Sequence, residues 1–156
     1  MTVRVIEGEL IQTRLDDVRA YDGVRTRRVF AFLLDYLIVA LLLIPFAILV
    51  FLLGILTLGL GWSLFAILGP AVALLYVWNT LGGPNQATTG MRMMGIRLDR
   101  LDGRPVDGML AVVHSVLFWA GNVVLTPLIL LATLFTDRKR TVHDLLLGTV
   151  VTRADR

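Results

Sequence analysis

Residues 36–78 read YLIVALLLIPFAILVFLLGILTLGLGWSLFAILGPAVALLYVW, and none of them carries a charge. The run without Asp, Glu, Lys or Arg extends to 56 residues, from the position after Asp35 to the one before Arg92. A soluble domain cannot hide such a run, whereas a bilayer offers apolar solvent along its whole length. Thr57-Leu-Gly-Leu-Gly61 is a plausible tight turn that divides it. The two pieces, 36–56 and 58–78, are each close to the ~20 residues a helix needs to cross the hydrocarbon. Trp62 and Trp78 are 16 positions apart, about 24 Å on a helix, which suits aromatic anchors at opposite interfaces. Pro45 and Pro70 fall inside these spans, where membrane helices tolerate kinks.

A second charge-free run of 29 residues lies between Asp107 and Asp137. Its apolar part, 110–135, holds His114, Gly121-Asn122 and Pro127. Over all 156 residues the apolar share is 56%, the charged share 17% and the mean hydropathy +0.77. These values exclude a soluble enzyme, a disordered tail and a nucleic-acid module. Zero cysteines exclude disulfides, thiolate metal sites and cysteine nucleophiles. The first 28 residues are polar and contain five acids, so they do not read as a cleavable signal.

Between the apolar runs, Gly82-Gly-Pro84 breaks the helix, and Asp102-Gly103 is a hairpin signal. Residues 96–106 are therefore expected to form a short two-stranded ribbon or a loop at the membrane surface. The net charge of +3 is explained by cytoplasmic basic residues. Six lie in the lead segment, four in the middle loop and five in the tail, with none between the first two spans. Two crossings put the lead segment and the loop on one side, the cytoplasmic one. The third segment either crosses once or bends at Gly121-Asn122 or Pro127 as a kinked re-entrant hairpin. Only the hairpin keeps all 15 basic residues inside.

Asp35 is the ionisable residue in the first span, and such a residue is by default a functional candidate. Arg28 lies seven positions earlier on the same helical face. Arg28 or a tail cation is the expected partner for the carboxylate, unless Asp35 simply reaches headgroup water. In the tail, Arg138, Lys139 and Arg140 suit anionic headgroups, as do Arg25 and Arg27 before the first span. His143 beside Asp144 is either a proton relay or a hydrogen-bonded anchor. A zinc site is not expected, because His114 and His143 are 29 residues apart with no matching ligand pair. Asn79 and Asn122 read as helix-end groups, and Met91, Met93 and Met94 as interfacial packing.

Three stretches together carry a family resemblance. Arg28-Val-Phe-Ala31-Phe-Leu-Leu-Asp35 resembles the first signature of the RDD family of bacterial membrane proteins, named for one Arg and two Asp residues. Thr88-Thr-Gly90-Met-Arg92-Met-Met-Gly95-Ile-Arg97 is similar to its middle segment, with Met91 where many members carry Lys. Arg140-Thr-Val-His143-Asp144-Leu-Leu-Leu-Gly148-Thr149 is similar to its last signature. The resemblance maps the naming residues to Arg28, Asp35 and Asp144. It implies a transport-related membrane protein, some members being described as sodium–proton antiporters.

The expected architecture is an all-α membrane protein with two transmembrane helices, a third apolar segment and the short cytoplasmic ribbon or loop. A polar lead segment (1–25) precedes the membrane domain (26–151), and a polar tail (152–156) follows. The expected place is the bacterial inner membrane, multi-pass, with a cytoplasmic N-terminus. If Arg28, Asp35 and Asp144 meet, their sum of −1 suits one proton or one monovalent cation. The same triad can instead clamp Arg28 and dock the tail onto the first helix. The competing function is a non-transporting accessory protein that binds anionic lipid or a membrane complex. A homo-oligomer or partner subunit is expected for transport, and neither an enzyme, a cofactor nor a resident metal is expected.

Overall fold

The computed structural model describes residues 18–125 and 142–154, with side chains over 19–120 and 143–154. A 3-10 turn, Val18–Tyr21, leads through Gly23 into helix α1, Val24–Leu56. Gly23 takes φ +67°, which reverses the chain without the clash a side chain would bring. At 33 residues, α1 is about 50 Å long, well beyond the ~30 Å of hydrocarbon. Its first turns, with Arg25, Arg27 and Arg28, therefore stand outside the apolar layer. Leu37, Leu41, Ile44, Ile48, Leu52 and Ile55 are each more than half exposed. An apolar surface of that extent is stable only against lipid or another apolar partner.

The reversal expected at 57–61 is present. Leu58 and Gly59 both have positive φ, and Thr57 Oγ1 accepts from the Gly61 amide at 2.7 Å. Trp62 lies flat on Gly54, where any Cβ would overlap its ring, and stacks on Phe51. The return path starts as a 3-10 turn, Leu60–Leu64, and continues as α2, Phe65–Thr80. In the last turn of α2, Asn79 donates back to the Leu75 carbonyl one turn earlier, at 2.7 Å. Among the described residues two helices are thus long and apolar enough to cross a membrane, counting Leu60–Thr80 as one rod.

Beyond α2 come a short helix α3, Thr89–Met93, strand β1, Ile96–Arg100, and helix α4, Gly108–Leu125. Gly82 and Gly108 touch backbone to backbone, and the Trp78 ring covers Gly108, so α4 starts against the end of α2. Helix α4 runs unbroken through Gly121-Asn122, so a bend at that pair is not found. The alternative bend at Pro127 lies outside the described residues, and so does the side chain of Asn122. After them come α5, Val142–Leu147, and β2, Thr149–Arg153.

Of the ribbon or loop expected over 96–106, the ribbon is not found: β1 is followed by a turn and a loop. Asp102-Gly103 does turn, with Gly103 at φ +71° and Arg100 paired to Asp102, but no strand follows it. Asp107 instead caps α4 by accepting from the Leu110 amide at 2.7 Å. The partner of β1 is β2, antiparallel, in a register that sets Leu98 opposite Val151 and Arg100 opposite Thr149. Over the described residues the chain is therefore helical with one two-stranded sheet, closed between loop and tail. The buried core sits at this end of the molecule, not between the spans. Val24 and Ala31 of α1 meet Leu81, Ile96, Leu98, Val106, Ala111 and Val151 there. Val150, on the other face of β2, packs on Ala20 and Tyr21.

Candidate functional site

Helix α5 is short and stops at Gly148, whose φ of +61° ends the helix and turns the chain into β2. That placement puts His143 and Asp144 in the first turn, where the helix dipole favours a carboxylate. Asp144 is completely buried, and Arg28 Nη2 donates to its Oδ2 at 2.7 Å. The Arg28 side chain is 20% exposed, and its Nε is buried without a hydrogen-bond partner among the described residues. Thr149 Oγ1 also reaches Asp144 Oδ1, at 3.3 Å. A buried pair of this kind is costly to break, because the survivor keeps its charge in a poor solvent. Arg28 and Asp144 thus fasten the tail to the first turns of α1 across 116 residues of sequence.

Asp35 is elsewhere. Its Oδ1 accepts from the Tyr76 hydroxyl at 2.6 Å and the Gly90 amide at 2.7 Å. Its Oδ2 accepts from Thr88 Oγ1 at 2.5 Å. Tyr76 in turn accepts from the Thr89 amide at 3.1 Å, and Thr88 caps α3 by accepting from the Met91 amide at 3.1 Å. Gly90 is a steric requirement, since a Cβ there would stand 2.3 Å from the Ala31 carbonyl oxygen. The sequence leaves open whether Asp35 meets Arg28 and Asp144. Among the described residues Arg28 pairs with Asp144, and the hydrogen-bond partners of Asp35 are the uncharged Tyr76, Thr88 and Gly90. Tyr76, Thr88 and Gly90 were not singled out as site residues. Thr88, two before Gly90 at the start of a short helix, carries an N-cap signature that points to the second half of this network.

The two histidines also depart from expectation. Packing of α4 on α5 brings His114 and His143 edge to face, with ring centroids 4.6 Å apart. His114 Nδ1 and His143 Nε2 lie 3.8 and 3.9 Å from Asp144 Oδ1. These distances exceed a hydrogen bond. Burial pushes the His143 imidazole below its ordinary value; the Asp144 carboxylate opposes this and the Arg28 charge adds to it. One nitrogen of each ring and one Asp144 oxygen lie within 4.8 Å of one another, a grouping with metal-ligand character among the described residues. Sequence spacing does not foretell this grouping, because the three side chains meet through tertiary contact.

Of the residues expected to meet headgroups, Arg27 donates to the Met94 carbonyl at 2.5 Å and so ties the end of α3 to α1. Arg25 is half-buried. Arg138, Lys139 and Arg140 lie outside the described residues. Met91 and Met94 pack against the core, while Met93 is exposed.

The model of the RDD family matches residues 23–148, a stretch that includes Arg28, Asp35 and Asp144. No curated protein and no solved structure matches the chain.

Proposed function

The chain belongs to the RDD family, and on that premise we propose that this membrane protein moves a proton or monovalent cation, with Asp35 as the exchanging group. One observation carries the reading. Arg28 and Asp144 neutralise each other, so the remaining negative charge of the three naming residues rests on Asp35. That carboxylate belongs to a helix with a long lipid-facing surface, and among the described residues dipoles alone compensate it. An ionisable group so placed is expensive and favours function. Besides the Gly90 amide, its neighbours are two hydroxyl oxygens, which with the carboxylate make a set of oxygens that suits hard cations. With the carboxylate ionised and no cation bound, Tyr76 and Thr88 donate to it. When a cation arrives, each hydroxyl rotates its proton away and offers a lone pair. A proton on Asp35 is the competing occupant. Arg28 and Asp144 serve as the clamp that holds loop and tail beneath this site.

The pairing of β1 with β2 supports a tail on the same side as the middle loop. We therefore favour the re-entrant hairpin for the third segment, in an inner-membrane protein whose N-terminus and tail are both cytoplasmic. A periplasmic reporter fused after Arg156 that becomes active would overturn this arrangement. Two spans and a hairpin are few for alternating access, so the working unit is a homo-oligomer or includes a partner subunit.

A second reading, an accessory protein that binds anionic lipid, has its own support. Arg92 and Arg97 line a cleft of ≈ 340 Å³ beside the β1–β2 sheet. Proteoliposomes pulsed with sodium, potassium or lithium discriminate between the two. Cation-dependent proton movement that is lost in Asp35→Asn is expected for transport. No movement with folded, oriented wild type, together with retained anionic lipid, would transfer the case to the accessory role.

A further inference from the structure

We propose that His114, His143 and Asp144 form a binding site for a late first-row divalent metal ion of the zinc class. This site is separate from Asp35 and does not rest on the transport reading. Three observations carry it. First, the atoms converge: His114 Nδ1 and His143 Nε2 both face Asp144 Oδ1, at 3.8 and 3.9 Å. Second, the spacing fits an ion. A centre equidistant from three atoms within 4.8 Å of one another lies at most about 2.8 Å from each, against ~2.0–2.2 Å for zinc bonded to His nitrogen and carboxylate oxygen. A closure of at most about 0.8 Å completes the contact. Third, His114 Nδ1 is buried and has no hydrogen-bond partner among the described residues. A buried polar atom without a partner is costly, and a metal ion relieves that cost.

The surroundings define the class of ion. Arg28 holds Asp144 Oδ2, while Oδ1, which also accepts from Thr149 Oγ1 at 3.3 Å, faces the two rings; Arg28 thus has the role of an outer-shell partner that orients a ligand. Its positive charge also weakens the attraction of the carboxylate for any cation. An ion that depends on oxygen charge, such as Mg²⁺ or Ca²⁺, is therefore disfavoured. One that imidazole nitrogen holds, such as Zn²⁺, Co²⁺, Ni²⁺ or Cu²⁺, is favoured. Three protein ligands leave a fourth position open, as in sites that take water or a further group.

The test uses the full chain in detergent, purified without a polyhistidine tag, stripped with chelator and titrated with Co²⁺. A visible d–d band saturating at one equivalent and displaced by Zn²⁺ is expected. His114→Ala and His143→Ala should each weaken binding by more than about 100-fold, beyond the ~10–100-fold that outer-shell partners cost. Asp35→Asn should retain the band. Because either histidine variant can misfold, the wild type is also footprinted with diethyl pyrocarbonate. His114 and His143 are the only histidines in the chain, and Zn²⁺ should protect both while Mg²⁺ protects neither. No band and no protection in folded wild type would overturn the site, as would a band that survives in folded His114→Ala.

Discussion

Replacing Asp144 with Asn removes the charge that holds Arg28 and leaves the shape nearly unchanged. Breaking one side of a buried ion pair costs about 3–5 kcal/mol. Arg28 keeps a fifth of its side chain in solvent and has an Nε unpartnered among the described residues, so part of its charge can rehydrate. The lower end, about 3 kcal/mol, is the appropriate figure, and it corresponds to somewhat more than a hundredfold in an opening equilibrium. The loss should fall on the element that Asp144 docks, not on the spans. Hydrogen exchange of the peptide covering Thr149–Arg153, read by mass spectrometry in detergent, reports opening of the β1–β2 ladder. Asp144→Asn should speed that exchange about a hundredfold and leave 40–55 unchanged. Arg28→Met should do the same. Arg28→Met with Asp144→Leu should recover most of the protection, because an apolar pair replaces a charged one. Unchanged protection in Asp144→Asn, or single effects that simply add in the double variant, would refute the clamp.

Three further outcomes follow from the same geometry. Gly90→Ala places a methyl 2.3 Å from the Ala31 carbonyl oxygen; overpacking of this kind costs about 1–3 kcal/mol, visible as earlier thermal unfolding in detergent, and an unchanged midpoint would contradict the close approach of α3 to α1. Tyr76→Phe deletes a hydroxyl that serves both Asp35 and the Thr89 amide, so it should cost about 1–3 kcal/mol and weaken cation dependence in proteoliposomes; wild-type behaviour in both assays would sever Tyr76 from the site. At the surface, the Arg100 guanidinium holds the Asp102 carboxyl below its ordinary range. Its stabilisation is therefore present above about pH 4 and fades as pH falls through the lower folded value. With Asp102 45% exposed, Asp102→Asn should alter the acid limb by less than about 1 kcal/mol, and a larger change would show the pair to be better shielded than its exposure implies.

What sequence reasoning could reach follows the local character of each signal. The two spans and the reversal between them are legible because hydrophobic length and turn residues act over short distances. Asp35 is conspicuous as a lone charge at the start of an uncharged run, and Arg28 as a cation on its face. Their pairing was not legible. Face periodicity places Arg28 and Asp35 together, yet Arg28 turns toward a carboxylate 116 residues away. Asp35 instead finds hydroxyls and an amide from α2 and α3. The β1–β2 pairing escaped for a similar reason: Asp102-Gly103 marks a true turn, but a five-residue strand carries no record of which distant strand completes it. The His114–His143 approach lies across a helix packing that no ligand-spacing rule describes. Local patterns thus specify the membrane part, while the site at its edge is assembled from long-range contacts.

The most direct test of Asp35 as the exchanging group is its reaction with a membrane-permeant carbodiimide, mapped by peptide mass spectrometry. Such reagents modify protonated carboxyls, so a cation that displaces the proton protects the residue. Labelling at Asp35 should rise as pH falls and drop when sodium or lithium is added at constant ionic strength, with Asp144 unaffected by either ion. Labelling of Asp35 that ignores sodium and lithium across that pH range would contradict the account.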